Sequence, residues 1–254
     1  DQLGIDEITF HKNSALNSDH SKVVGLIKRG GRLCVDSNKV DDFKSLDLDP
    51  DFETEEAIKR ATVVIDCTPR GIGQKNKEKY YHKFIKGGKG FLAQGSESGF
   101  GKKYARRIND ATLNSDDQFI QIVSCNTHNL CCITQTLALD GDHDNLEEGR
   151  FVCIRRANDI SQPGSFIPSP QVGSHKSPKY GTHHAEDAAG LFHTMDIDLN
   201  LFSSAVKVNS QYMHVLWFTL RVKEPTTLTA VLEKLYANPY VAMTEKDMTS
   251  TVFS

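Results

Sequence analysis

The chain has 254 residues, of which 38% are hydrophobic and 25% are charged, and its formal net charge at pH 7 is −3. This length and composition suffice for one or two apolar cores, and the balanced charge excludes a nucleic-acid-binding surface over the whole chain. No apolar run approaches the roughly 20 residues of a membrane-spanning helix, and residues 1–4 lack the basic and apolar regions of a signal peptide. We therefore expect a cytoplasmic protein that binds neither nucleic acid nor membranes.

The first half of the chain alternates predicted strands with predicted helices. A continuous β-branched run at residues 61–66 is typical of a strand that is buried on both faces of a parallel sheet. The alternation predicts a doubly wound α/β domain. The predicted elements are strands over residues 6–10, 33–35, 61–66 and 91–93 and helices over residues 18–29 and 52–60.

Two polar loops follow predicted strands in this half. Cys67–Gly73 follows the strand at residues 61–66, and Gln94–Glu97 follows the strand at residues 91–93. In an open parallel sheet, ligands bind outside the carboxyl ends of the strands. Because glycine lets the backbone approach a ligand closely, both loops are candidates for a ligand site.

Cys125 lies where an apolar strand, Phe119–Val123, ends in small polar residues. Asn126 and Thr127 are predicted as the N-cap and first-turn donors of a helix over residues 130–139. A thiol at a helix N-terminus experiences the positive end of the helix dipole, so we expect its pKa to be lowered and the thiolate to be populated. Cys125 is therefore a candidate nucleophile, and a small buried side chain is the alternative.

The other cysteines are predicted to be free, buried thiols. Six cysteines are too few and too scattered for a disulfide framework, and none has a partner at metal-ligand spacing. The histidines in the second half lack a carboxylate and cysteine scaffold, so no metal site is predicted. The cysteines predicted to be buried are Cys34, Cys67, Cys131, Cys132 and Cys153.

The second half of the chain has a different hydrophobic pattern from the first. Segments 150–155, 195–208 and 214–222 alternate apolar and polar residues and are rich in aromatics, which is typical of a half-covered antiparallel sheet. The proline-rich segment 162–181 predicts a long loop, and a helix is predicted over residues 228–235.

Four motifs, in this order and spacing, resemble the archaeal-type (type II) glyceraldehyde-3-phosphate dehydrogenases. They are Thr62–Lys77, Phe91–Glu97, Ile122–Thr127 and Ile154–Ala157. The resemblance implies an α/β plus α+β fold. Residues 1–124 would form a partial Rossmann-like NAD(P)-binding domain that lacks its first strand, Gly-rich loop and helix. Residues 125–254 would form a catalytic domain built on a mixed or antiparallel sheet, without the family's C-terminal helix.

The resemblance also implies the chemistry. Enzymes of this family use a cysteine thiolate and NAD or NADP to oxidise a small phosphorylated aldehyde to an acyl phosphate, and they consume inorganic phosphate. It further implies a homo-oligomer or a subunit of an assembly. The implied substrate contacts are Ser124, Asn126, Thr127, Arg156, His183 and His184, and the implied cofactor contacts are Thr68, Pro69, Gly71 and Gly95.

The sequence departs from the family pattern at the position of the catalytic base. The family's Met-His-Val-His motif ends in Leu216 here, so the histidine that would activate the thiol is replaced. His214 lies on the same face of the strand, about 6–7 Å away, and is the alternative base. In the Ser-His-His-Gly-Pro-Asp motif, Ala185 replaces the glycine.

The segment expected to bind the nucleotide also departs from the family pattern. No Gly-x-Gly-x-x-Gly motif precedes Ile8, and the first strand ends without the acidic residue that binds a ribose 2′-hydroxyl. His11 and Lys12 stand there instead. They would suit a 2′-phosphate, so the pattern favours NADP with Lys12 as a cofactor contact.

Three hypotheses remain open on the sequence alone. The first is an active phosphorylating aldehyde dehydrogenase with Cys125 as nucleophile and with Arg156 and His184 on the phosphates. The second is a non-catalytic relative of the same fold that serves as a structural or binding subunit, which Leu216, Ala185 and the missing Gly-rich loop favour. The third is a thiol-dependent semialdehyde or acyl-phosphate reductase.

Overall fold

The computed structural model describes residues 4–95, 97–140, 143–158 and 166–253. The chain divides into two compact units, one formed by Asp1–Ile65 and Gln74–Phe91 and the other by Asp66–Gly73 and Leu92–Ser254. The predicted domain boundary at residue 124 therefore lies inside the second unit. Among the described residues, no helix has the length and apolar character needed to cross a bilayer.

The first unit contains a three-stranded parallel sheet with β2 in the centre. Val23, Leu33, Val35, Phe43 and Leu48 form its core. The elements are β1 (Thr9–His11), α1 (His20–Lys28), β2 (Arg32–Val35), α2 (Val40–Lys44), β3 (Phe52–Glu53) and α3 (Thr54–Arg60).

Two predictions in this unit are wrong. Phe52 and Glu53 do not begin a helix, because they pair with Cys34 and Val35 as β3, and the helix begins at Thr54. The strand at residues 61–66, observed as β4 (Val63–Asp66), is not buried on both faces. Val63 is 52% exposed and Ile65 is 65% exposed, because one face of β4 is uncovered by the described residues.

The chain then forms α4 (Ile72–Lys79), β5 (Gly90–Gln94), β6 (Lys102–Tyr104) and β7 (Phe119–Ile122). In the second unit β7 lies between β5 and β6 and runs parallel to β6. The backbone N–H of Gly95, just after β5, donates to the carbonyl oxygen of Ile122 at the end of β7 (2.8 Å). The carboxyl ends of β5 and β7 are therefore adjacent, and α5 (Cys125–Ala138) follows β7 directly.

A four-stranded sheet forms the rest of the second unit, in the order β11–β12–β10–β13. The sheet is mixed, which is one of the two arrangements that the resemblance implied. Strands β10 and β12 run parallel, because α6 between them makes the crossover connection that parallel strands need, and the other pairs are antiparallel. The remaining elements are β8 (Leu139–Asp140), β9 (His143–Asp144), β10 (Leu146–Arg155), β11 (Gln171–Val172), α6 (His183–His193), β12 (Leu201–Lys207), β13 (Val215–Val222), α7 (Leu228–Ala237) and α8 (Thr249–Phe253).

Helices α5 and α6 pack with this sheet around the larger core. Part of the segment predicted as a long loop, residues 162–165, lies outside the described residues. The parallel sheets and the mixed sheet are compatible with a Rossmann-like domain joined to a second α/β domain. The buried core side chains include Leu130, Cys131, Phe151, Cys153, Ala188, Leu191, Phe192 and Leu201.

All six cysteines are free thiols. The predicted burial is confirmed for Cys34, Cys131 and Cys153, whereas Cys132 is partly exposed. The prediction is wrong for Cys67, which is exposed because it lies in the loop that follows β4.

Candidate active site

Cys125 is the first residue of α5, and its side chain is exposed. Ser124 is the N-cap. Its Oγ accepts the backbone N–H of Thr127 (3.4 Å) and lies 2.9 Å from Thr127 Oγ1. The prediction of Asn126 as the N-cap is therefore wrong, and the helix begins five residues before the predicted residue 130. The correction brings Cys125 into the first turn, where the helix dipole acts most strongly.

The two residues after Cys125 are buried. Asn126 is 3% exposed and Thr127 is fully buried. The Oδ1 atom of Asn126 accepts no hydrogen bond from any residue that the structure describes. A buried amide oxygen without a donor is costly, so this atom is a candidate acceptor within the site.

Cys153 and Leu216 are neighbours of the thiol. Burial raises the pKa of Cys153 to about 12, Arg155 opposes this rise, and the charge of Cys125 contributes to it. Cys153 on β10 pairs with Leu216 on β13, so both side chains share the face that packs on α5. Leu216 thus lies beside Cys153 on this face, and it carries no proton-accepting atom.

His214 precedes β13 and is partly buried. Its Nδ1 accepts the backbone N–H of Arg156 (3.1 Å). A neutral imidazole that accepts at Nδ1 carries its proton on Nε2. His214 is therefore arranged as an N–H donor, and the predicted role as a base would require the Nδ1 bond to be broken or the tautomer to change.

His183 and His184 begin α6, with ring centroids 4.0 Å apart. The segment 182–187, which corresponds to the Ser-His-His-Gly-Pro-Asp motif, is thus the N-cap and first turn of a helix. Burial, with smaller contributions from His183, Arg155 and His214, lowers the pKa of His184 to about 3. Burial also lowers the pKa of His183, which Asp187 opposes. Both imidazoles are therefore neutral near pH 7.

Arg155 is a site residue that the sequence analysis did not select. Its positive charge acts on His183, His184 and Cys153, whereas Arg156 contributes its backbone N–H to His214. Residues two apart on a strand share a face, so Cys153 and Arg155 point to the same side of β10. That alternation would have identified Arg155 from the sequence.

Two more residues were missed. The charge of Arg70, in the loop after β4, also acts on His183. One turn along α6 from His183, Lys103 binds the buried carboxylate of Asp187 (2.9 Å) and fastens the start of α6 to β6. No sequence pattern links Arg70 or Lys103 to the histidines, because they meet only in the folded unit.

The two strand-end loops are joined by Glu97. The buried Glu97 carboxylate accepts the backbone N–H of Gly71. Gly71 and Gly95 have φ values of 83° and 80°, and a Cβ built on either would meet no atom within 4 Å. Both glycines are thus needed for their backbone conformation, and they face open space.

Thr68 and Pro69 complete the first of these loops. The Thr68 backbone N–H donates to the Asp66 carboxylate (2.9 Å), and so does its hydroxyl. This Asx-type turn fixes the loop above the end of β4. Ser96 lies outside the described residues. Gly71 and Gly95 therefore leave open space beside these two loops, and the four predicted cofactor contacts, Thr68, Pro69, Gly71 and Gly95, stay a prediction.

Lys12 lies in the first unit. Its ammonium group binds the Asp19 carboxylate (2.5 Å), and this hydrogen bond lowers the pKa of Asp19 against the opposing effect of burial. The neighbouring His11 lies 3.5 Å from Asp36. Both basic groups predicted to face a 2′-phosphate therefore already have carboxylate partners, and a phosphate would have to compete with them.

No group of three histidine, cysteine or carboxylate side chains converges to hold a metal ion in the part of the chain that the structure describes. Arg155, His214 and the hydroxyl of Thr182 act on or contact His184. His183 experiences the positive charges of Arg70 and Arg155 and the negative charges of Asp187 and Glu186. The arginines make the histidine pair a candidate contact for an anion.

The low pKa of His184 predicts a pH-dependent stability. The folded value of about 3 lies below the ordinary 6.5, so below pH 6.5 the unfolded chain binds a proton that the folded chain does not. Stability is therefore lost as the pH falls from 6.5 towards 3. We expect His184 to contribute a loss of about 2 kcal/mol by about pH 5.

Denaturant unfolding at about pH 7.5 and about pH 5 measures this effect. The His184→Asn variant removes the titrating group, so its stability should fall less over the same interval, by about 2 kcal/mol. An identical pH dependence in the variant and the parent protein would contradict the burial of a neutral His184.

No family model matches the chain. Among curated proteins it is 26% identical over 248 residues to a glyceraldehyde-3-phosphate dehydrogenase of Pyrobaculum islandicum, which covers 89% of this chain and 67% of the relative. The corresponding protein of Methanobacterium bryantii is 27% identical over 257 residues, with 92% and 70% coverage. That of Methanococcoides burtonii is 30% identical over 202 residues, with 78% and 55% coverage.

The chain spans about two thirds of the length of these relatives. The matches cover most of this chain, and the relatives share the name of the family that the four motifs resemble. The resemblance is therefore confirmed: the chain is a distant relative of the archaeal glyceraldehyde-3-phosphate dehydrogenases.

Proposed function

We propose that the chain carries the thiol and anion-binding site of a glyceraldehyde-3-phosphate dehydrogenase-like oxidoreductase, with Cys125 as its nucleophile. The observation that carries the proposal is an exposed thiol in the first turn of α5, within one compact unit that also holds Arg155 and a neutral histidine pair. The substrate would be a small phosphorylated aldehyde, with inorganic phosphate as the second reactant.

The first step is attack by the Cys125 thiolate on the aldehyde carbon. A carbon–sulfur bond forms, and the electrons of the carbonyl π bond move to the oxygen, which becomes an alkoxide. His214 supports this step as an Nε2–H donor to the developing negative charge, and Ser124 precedes the thiol on the substrate side. The buried Asn126 and Thr127 stay proposed substrate contacts. Leu216 offers no base to the thiol, so the thiolate has to form before it attacks the aldehyde.

A nicotinamide nucleotide, NAD or NADP, supplies the hydride acceptor when it is bound. The residues that would hold its nicotinamide end are Thr68, Pro69, Gly71 and Gly95, and Lys12 would contribute to a 2′-phosphate contact if Asp19 released it. Loss of hydride from the alkoxide carbon re-forms the carbonyl group and leaves a thioester on Cys125. An alkoxide needs no further deprotonation, which is consistent with leucine at position 216.

Phosphate then displaces the thioester. A phosphate oxygen attacks the acyl carbon, the carbon–sulfur bond breaks, and the Cys125 thiolate is regenerated as the acyl phosphate leaves. Arg155 supplies a fixed positive charge for this anion, while His183 and His184 supply neutral contacts. Arg156 stays a proposed contact at the edge of the same site.

Selective alkylation tests the nucleophile. Cys67 is the comparison within the same protein, because its thiol is also exposed but does not begin a helix. Partial burial and the charge of Asp66 raise the pKa of Cys67. We expect iodoacetamide to modify Cys125 at least about 10-fold faster than Cys67 near pH 7, because the reactive species is the thiolate. Peptide mapping measures both rates, and glyceraldehyde 3-phosphate should protect Cys125 alone.

Equal rates at the two cysteines, without protection by the aldehyde, would contradict the proposal. That outcome would support the non-catalytic alternative, for which Leu216 and Ala185 are the motivating residues. Protection by a semialdehyde but not by glyceraldehyde 3-phosphate would support the third hypothesis.

A further inference from the structure

We propose that Thr182 and Ser203 are positioning residues that hold His184 with its proton on Nε2, as a neutral hydrogen-bond donor to a phosphoryl group. The ligand class rests on the proposed function. The proton arrangement rests only on the geometry of three buried side chains, so the two can fail separately.

The backbone holds Thr182 and Ser203 together. The Thr182 N–H donates to the Ser203 carbonyl oxygen (2.9 Å), and the Ser203 N–H donates to the Tyr180 carbonyl oxygen (3.0 Å). Gly181 permits this close approach, since its φ is 72° and a Cβ there would lie 2.3 Å from the Ser203 carbonyl oxygen. The start of α6 is thus fixed against β12 by the main chain, independently of the two hydroxyl groups.

Thr182 is the N-cap residue of α6, yet its side chain does not cap the helix. An N-cap threonine ordinarily accepts a backbone N–H of the first turn. Here Ser203 Oγ, from the neighbouring strand, accepts the Ala185 N–H (3.0 Å). The Thr182 hydroxyl is left to contact Ser203 Oγ (2.6 Å) and His184 Nδ1 (3.0 Å).

The distances determine the direction of the two hydroxyl protons. Ser203 can donate either to Thr182 Oγ1 at 2.6 Å or to the Thr182 carbonyl oxygen at 3.4 Å. An O–H···O hydrogen bond is about 2.5–3.0 Å long, so Ser203 donates to Thr182 Oγ1. Thr182 then donates its own proton to His184 Nδ1, and the His184 proton must be on Nε2.

This chain of donors runs in one direction, from the Ala185 N–H through Ser203 and Thr182 to His184. Hydrogen bonds aligned in this way strengthen one another in a buried setting. Ser203 is fully buried, His184 is 2% exposed and Thr182 is 4% exposed, so water does not compete along the chain.

The consequence is an anion site in which the positive charge and the neutral hydrogen-bond donor come from different residues. The groups that act on His184 are His183, whose ring is tilted by 34° against it, with Arg155 and His214. Asp187 and Glu186 act on His183 from farther along α6. Arg155 supplies the charge, and His184 supplies a donor that stays neutral and keeps its orientation. A donor with a fixed proton does not weaken as the pH rises, unlike a charged imidazole.

The Thr182→Val variant removes the hydroxyl, and Thr182→Ser, the matched control, keeps it. Nitrogen-15 NMR of histidine-labelled protein identifies the tautomer of His184, with His184→Asn used to assign its signals. We expect the Nε2–H form in the parent protein and in Thr182→Ser. In Thr182→Val we expect a mixture of both tautomers, because Nδ1 has lost its donor.

Binding of inorganic phosphate is the second readout. We expect its Kd to rise about 5- to 10-fold in Thr182→Val, equivalent to one lost hydrogen bond, and to stay within about 2-fold in Thr182→Ser. Circular dichroism and thermal unfolding show whether Thr182→Val has folded, and Ser203→Ala replaces it if it has not. Ser203→Ala should produce the same tautomer mixture.

The outcomes separate the two claims. An Nδ1–H tautomer in the parent protein would overturn the proposal even if phosphate binds. An Nε2–H tautomer that Thr182→Val does not alter would also overturn it. An Nε2–H tautomer that depends on Thr182, in a protein that binds no phosphate at millimolar concentration, would support the positioning role and contradict the proposed function.

Discussion

Replacement of Cys125 by serine is expected to lower kcat/KM for aldehyde oxidation at least about 10³-fold, because a serine hydroxyl is not ionised near pH 7 and forms no thioester. The exposed position of Cys125 in the first turn of α5 means that the substitution removes chemistry rather than packing. Steady-state rates with glyceraldehyde 3-phosphate, phosphate and NADP or NAD measure the effect.

The matched control is Cys132→Ser, two turns further along the same helix. Cys132 is partly exposed and packs against the core, so its replacement should cost some stability but leave kcat/KM within about 2-fold. Similar rates in the parent protein and Cys125→Ser would mean that another group is the nucleophile, and the proposed function would fail.

Replacement of Leu216 by histidine is expected to raise kcat/KM about 10²-fold. Leu216 pairs with Cys153, whose thiol experiences the charge of Cys125, so an imidazole at position 216 would face the nucleophile. A positioned general base contributes about 10²- to 10⁴-fold, and the lower value is expected where the surroundings are not adapted to it. The gain should follow an ionisation near pH 6.5 in the kcat/KM profile.

Leu216→Gln is the control, because it is polar and similar in size but cannot titrate. Both variants lose apolar contacts of a partly buried side chain, at a cost of about 1–2 kcal/mol that unfolding experiments can compare. An equal rate for the histidine and glutamine variants, with no new ionisation, would show that position 216 does not face the thiol.

The sequence predicted the presence of most elements more reliably than their starting residues. The helix after Cys125 was predicted from its apolar residues alone, so it was placed at residue 130. In the folded chain Ser124 supplies the cap, and the helix begins at Cys125 although the first turn is polar. Capping by one side chain thus outweighs the weak helix propensities of Asn126 and Thr127.

The site was predictable where one motif supplies the residues and not where distant segments meet. Cys125 and the pair His183 and His184 each lie within a short motif. Ser203 lies 21 residues after Thr182, through which it contacts His184, and no local sequence pattern predicts that contact. Arg155 is an intermediate case, since strand alternation distinguishes it from Arg156 once Cys153 is known to be buried.

Trapping of the acyl-enzyme tests the central claim most directly. The protein would be mixed with glyceraldehyde 3-phosphate and NADP or NAD without inorganic phosphate, quenched in acid and mapped by mass spectrometry. We predict one phosphoglyceroyl group on Cys125, absent from Cys125→Ser and released when phosphate is added before the quench. A protein that oxidises the aldehyde but carries no adduct on Cys125, or carries the adduct on another residue, would contradict the account.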